Sequence, residues 1–116
     1  MTTQQTAEAF SRHRFVEAFP HLHPDVRWTA HGQGTTQGRD AVVAACERTA
    51  TELAGTTTEF TRFISVAGPD VAAVDVVARY TDADGGVAVV ASSDVYEFSD
   101  GVVTAITSYA VELPAG

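Results

Sequence analysis

The sequence predicts an α+β fold in which early helices pack on one face of a strongly curved antiparallel β-sheet. Helical periodicity is confined to the first half of the chain, whereas residues 58–113 read as strand after strand broken only by tight turns. Two stretches rich in Val, Ile, Thr, Tyr and Phe, residues 87–98 and 102–113, flank Ser99-Asp100-Gly101. This is a hairpin signal, because Asp-Gly supplies the positive φ that a tight turn needs. Each arm is about twice the usual strand length of roughly 5–6 residues, and arms that long belong to sheets that wrap around something.

Taken in order, residues 2–11 read as a helix, with Thr6 as a candidate cap and Ala7 and Phe10 on one face. The apolar positions Phe15, Ala18, Phe19 and Leu22 resume one residue out of phase with Phe10. A break is therefore expected near Ser11-Arg12-His13, followed by a second short helix that Pro20 stops. His13, in that break, is expected to be exposed. Pro24-Asp25 reads as a turn, residues 26–30 alternate as a first strand, and HGQGTTQG at 31–38 is a loop by composition. Residues 39–54 form the clearest helix: Val42, Cys46, Thr49, Ala50 and Leu53 make an apolar stripe, Asp40 suits its N-terminus and Gly55 its end. Strands at 58–66 and 71–80 precede the long hairpin, and the short turns between them require antiparallel neighbours.

One domain, 1–116, accounts for the whole sequence. The 45% apolar content supports a packed core. No stretch approaches the roughly 18 apolar residues of a membrane span, and MTTQQTAEAF lacks the basic start and apolar block of a secretory signal. A cytoplasmic protein that does not bind membranes is the expectation. The formal net charge is −8, and all seven basic residues are Arg. Nucleic acid would be repelled on average, and the absence of Lys removes Schiff-base chemistry. Cys46 stands alone, so no disulfide or multi-cysteine metal site is possible within the chain, and its place on the apolar stripe makes it a core residue. His21 and His23 have no evident third ligand, so no metal site is expected.

Asp94 is the most informative residue: a carboxyl set among Val89, Val90, Ala91, Val95, Tyr96 and Phe98. If it faces a pocket, alternation puts Ser92, Tyr96 and Phe98 on the same side. Trp28 on the first strand, Tyr80 on the 71–80 strand that precedes the long hairpin and Ser108 on the last strand fall on inward sets, giving an aromatic and aliphatic lining with a few polar groups. His31 opens the Gly-rich loop with an imidazole suited to proton transfer near neutrality. On the opposite face of the last strand, Ala105, Thr107, Tyr109 and Val111 form a row that needs cover, and a homodimer packed sheet to sheet is the expectation.

Pro24-Asp25-Val26-Arg27-Trp28, then Gly38-Arg39-Asp40-Ala41-Val42, then Asp94 to Gly101 and Ser108-Tyr109 together resemble the SnoaL-like branch of the nuclear transport factor 2-like superfamily. The resemblance spans nearly the whole chain. It implies a cone, in which a bent antiparallel sheet wraps a long helix around an apolar cavity. It also implies that Asp94 stands where ketosteroid isomerases carry an oxyanion-hole aspartic acid, with the family base falling near Ala30 and His31. Residues 2–19 contain no Tyr to match the isomerase tyrosine on the first helix. Two readings therefore stay open. One is a small-molecule-binding domain that uses Asp94 and His31 for cofactor-independent isomerase, cyclase or dehydratase chemistry on a small apolar metabolite. The other is a non-catalytic ligand-binding or dimerisation module. Trp28, Tyr80, Ser92, Tyr96, Phe98 and Ser108 are the candidate ligand contacts in either.

Overall fold

A computed structural model describes residues 1–115. The elements are α1 (Thr3–Ser11), α2 (Phe15–Ala18) running into a 3-10 turn (Phe19–His21), β1 (Leu22–Ala30), β2 (Gly34–Gln37), α3 (Arg39–Glu52), β3 (Thr57–Ala67), β4 (Val71–Thr81), β5 (Val87–Ser99) and β6 (Val102–Leu113). Helices and an unclosed, curved six-stranded sheet in the order β2-β1-β6-β5-β4-β3 make the α+β architecture.

Every strand pair is antiparallel except one: β1 runs parallel to β6. The chain between them carries α3 and four strands, so nothing forces a hairpin, and the last strand is free to join β1 in the same direction. HGQGTTQG is not wholly a loop. Gly34–Gln37 pairs with β1 as an edge strand, placing Thr36 opposite Trp28 and Gly34 opposite Ala30. Its composition conceals it because only four residues pair, at an edge where packing asks little of side chains. Pro24 lies within β1, where the register against β6 shifts between Leu22 and Arg27, a bulge that tolerates the missing N–H.

Thr2, not Thr6, caps α1. Its hydroxyl accepts from the Gln5 amide while the Gln5 side chain accepts from the Thr2 N–H, a full capping box. The helix ends where the phase break falls. Arg14 N–H donates to Ala9 O at 2.8 Å and His13 N–H to Phe10 O at 3.1 Å, the paired bonds of a Schellman motif. The core runs between α1, α2 and α3 and the concave face of the sheet; Ala9, Phe10, Leu22, Val26, Val42, Cys46, Val74, Tyr96 and Ile106 are buried there. No helix among the described residues is long and apolar enough to cross a membrane.

Candidate functional site

Sheet register builds the site. Asp94 on β5 lies directly opposite Ser108 on β6, which in turn lies opposite Ala30 on β1. One step along, Tyr96, Ile106 and Trp28 form the next row. Both rows face α1, whose final residue, Ser11, reaches down to the carboxylate.

The resulting hydrogen bonds are closed and directional. Ser11 Oγ donates to Asp94 Oδ2 at 2.8 Å, and Ser108 Oγ donates to Asp94 Oδ1 at 2.6 Å. Trp28 Nε1–H donates to Ser108 Oγ at 2.9 Å. An indole N–H can only donate, so Ser108 must turn its own proton away from Trp28, and Asp94 receives it. With Ser11 donating to Asp94, the Tyr96 hydroxyl donates to Ser11 Oγ across 2.5 Å. Two relays thus converge, Trp28 to Ser108 and Tyr96 to Ser11, each ending on one carboxylate oxygen. This pattern serves an acceptor-only carboxylate.

Beside the carboxylate lies a cavity of about 410 Å³, with Phe10, Trp28, Tyr80, Ser92, Asp94 and Ser108 on its wall. His13 and Phe60 also line it. His13 is a residue that the sequence reading sent to solvent. It is half-buried at φ 63°, the left-handed region, in the C′ position of the Schellman motif where glycine is usual. That backbone turns the ring inward. It stacks on Tyr80, with centroids 6.3 Å apart and planes at 14°, and meets Phe15 at 5.3 Å. Burial lowers the His13 pKa from the ordinary imidazole value, and the Asp94 charge opposes that shift. Burial, reinforced by Asp94, raises the Tyr80 pKa, so its phenol stays a neutral donor, and its hydroxyl has no hydrogen-bond partner among the described residues.

Of the residues singled out from sequence, Asp94, Trp28, Tyr80, Ser92 and Ser108 share the cavity wall. Tyr96 and Phe98 do not. They are 1% and 6% exposed and lie in the core behind the lining, where Tyr96 acts on the site only through Ser11. A register shift after Glu97, where Thr104 has no partner on β5, accompanies the departure of Phe98 from the cavity wall. His31 is not on the wall either. It is exposed beyond the end of β1, its ring stacked on Tyr109 at 4.6 Å and its N–H bonded to Ser108 O. Ser11 was missed because a serine at a helix end reads as a cap or break, and nothing local says that it reaches a strand 83 positions away.

Cys46 is fully buried, and burial, with a smaller contribution from Glu47, pushes its thiol up to about 12. It is a core side chain and not a nucleophile. Among the described residues no group of three or more His, Cys, Asp or Glu side chains could hold a metal ion.

A curved, unclosed sheet packed against helices, with a carboxylate in the wall of the cavity between them, defines a cone-type domain of the nuclear transport factor 2-like superfamily. Within it the chain belongs to the SnoaL-like domain family, whose model matches residues 3–106. No curated protein matches the sequence. Among solved structures the chain is similar to an NTF2-like protein of unknown function from Cytophaga hutchinsonii, with a TM-score of 0.78 at 24% identity, covering 93% of this chain and 98% of that one. It is also similar to a proposed polyketide cyclase from Xanthomonas campestris pv. campestris, with a TM-score of 0.71 at 19% identity over 90% and 83% of the two chains. An NTF2-like protein of unknown function from Burkholderia pseudomallei shares 28% identity, with a TM-score of 0.61, over 89% and 82%. The likenesses establish the fold; the chemistry has to be argued from the residues.

Proposed function

We propose that the chain binds a compact, mostly apolar metabolite in the cavity and that Asp94 and His13 act on it as a proton-transfer pair, a step that needs no cofactor. One observation carries the reading: a histidine holds a backbone conformation that favours glycine and thereby reaches the same cavity as the half-buried Asp94 carboxylate. Strain of this kind persists where the surroundings require it, and it clusters at functional sites.

In this reading Asp94, with both oxygens steadied by serine hydroxyls, takes a proton from a carbon next to a carbonyl. Neutral His13 donates its ring N–H to the oxygen as negative charge develops there, and the Tyr80 hydroxyl is placed to do the same. Returning the proton to another carbon gives isomerisation; attack of the enolate on a second carbonyl gives cyclisation; loss of a β-hydroxyl gives dehydration.

The test is deuterium uptake at the α-carbons of 2-tetralone, a flat enolisable ketone, followed by proton NMR in heavy water. Wild-type protein is expected to accelerate uptake, and Asp94→Asn to cut the acceleration by about 100-fold or more, the low end for a lost general base. Binding of 2-tetralone with no acceleration in the wild type would leave a binding module. The full engagement of both Asp94 oxygens by serines favours that second reading, since a carboxylate so held also serves as a fixed wall group.

The outer face supports a homodimer. Ile64 and Val66 on β3 and Tyr109 and Val111 on β6 are 48%, 63%, 52% and 61% exposed. Register places Ile64, Asp75, Ser93 and Tyr109 in one row across that face. A second copy of the sheet would cover these side chains. Light scattering is expected to give twice the chain mass at micromolar concentration, and Val66→Glu to halve it. A monomeric wild type would remove the proposal.

A further inference from the structure

The main cavity has a neighbour. A second hollow of about 300 Å³ lies under the β1–β2 hairpin, and Trp28, Ala30 and Gln33 line both spaces. Its remaining wall is Gly34, Thr35 and Thr36 from β2 and Ala45 from α3. Helix α3 runs past both: Ala45 lines the hollow and Thr49, one helical turn on, lines the main cavity.

The chemistry of the two spaces differs. Asp94, His13 and a set of aromatic rings surround the main cavity, whereas the hollow contains no charged side chain. It offers the Gln33 amide and the Thr36 hydroxyl, neither of which has a side-chain hydrogen-bond partner among the described residues. By contrast, the Thr35 hydroxyl is engaged with Thr29 at 3.3 Å. Pairing with Trp28 puts Thr36 on the cavity side of the hairpin. A small residue, Ala45, leaves room on the helix side.

We infer that the hollow is a second ligand compartment, which takes a neutral hydrogen-bonding arm (a hydroxyl, ester or amide) extending from the apolar body held beside Asp94 and His13. The inference rests on the main cavity being the ligand site and adds to it the ligand's shape and polarity. The ligand has two parts, bends past Trp28, and carries no charge on its arm. An ionised arm would enter a space with no counter-charge and would lose hydration without compensation.

Matched probes test this by calorimetric titration of the intact chain: 2-tetralone, 6-(2-hydroxyethoxy)-2-tetralone and 6-carboxymethoxy-2-tetralone. The hydroxyethoxy probe is expected to bind about tenfold tighter than 2-tetralone, the factor of one good hydrogen bond. The carboxymethoxy probe is expected to bind no better than 2-tetralone. Ala45→Leu fills the hollow and is expected to abolish the gain while leaving 2-tetralone affinity within about twofold, well under one hydrogen bond. Thr36→Val, of nearly the same shape, is expected to lose part of the gain and serves if the leucine variant does not fold. Equal affinity of the neutral probes for wild type would overturn the inference and spare the main site, as would Ala45→Leu weakening both alike. Failure of 2-tetralone itself to bind would overturn the ligand site and this compartment together.

Discussion

Glycine at position 13 is expected to give a more stable protein than alanine there, by about 1 kcal/mol, although glycine is normally the costlier residue to order. Both substitutions remove the imidazole and its contacts with Phe15, Tyr80 and Phe60. Only alanine keeps a Cβ in the left-handed conformation at φ 63°, so the difference between the two isolates the backbone strain that His13 bears. Both are expected to lose the deuterium uptake that wild type catalyses, by about 100-fold if His13 stabilises the developing oxyanion. Stability should also change with pH. Because burial lowers the His13 pKa, the unfolded chain binds more protons than the folded chain between that lowered value and the ordinary 6.5. The contribution of a neutral His13 is therefore complete above 6.5 and is lost as pH falls from there towards the lowered value. Urea midpoints measured from pH 8 to 5 should fall more steeply in wild type than in His13→Gly. Alanine and glycine of equal stability would mean that the turn relaxes easily and that the histidine is not held there against a cost.

What the sequence made legible depended on how local each signal was. The long hairpin, α3 and the break after α1 each left a local mark: alternation, a helical stripe, a slip in phase. Asp94 was legible for the same reason, as one ionisable side chain in an apolar alternation. Ser92 and Ser108 followed from alternation once a cavity was assumed. Pairings made at a distance were not legible. The parallel join of β1 to β6, and with it the step from Trp28 to Ser108, depends on which edge the last strand meets. His13 shows a second kind of failure. Its position in a break was legible, but its direction follows from a positive φ at a residue that is not glycine, and sequence pattern assumes the commoner conformation. His31 erred the other way: its residue type suited the chemistry, yet it directly follows the inward-facing Ala30 at the end of β1, and alternation turns the next side chain away from the cavity.

The second large effect concerns the relays on Asp94. Asp94→Asn replaces one accepting oxygen by an NH2 group that can only donate, so one of the two serine bonds must be remade. The Ser108 side cannot adapt, because the Trp28 N–H already occupies Ser108 as an acceptor and leaves its proton to be placed. The amide nitrogen is therefore expected to face Ser11. Ser11 can accept from it by turning its own proton to Tyr96, but the Tyr96 hydroxyl proton then has no acceptor, in a residue only 1% exposed. A buried unpaired hydroxyl costs about 1–3 kcal/mol, so Asp94→Asn should destabilise by that amount despite its near-identical shape. Tyr96→Phe deletes the stranded group. In wild type it removes a satisfied hydrogen bond and should cost about 1 kcal/mol, whereas in the Asp94→Asn background it should cost nothing or stabilise. Chemical denaturation of the four proteins closes the cycle, and a coupling of about 1 kcal/mol or more is expected of groups in one network. Strict additivity, with asparagine tolerated at no loss, would mean that the carboxyl brings its own proton to the serines. A carboxyl already protonated cannot act as the base, and the direction of proton transfer proposed for this site would reverse.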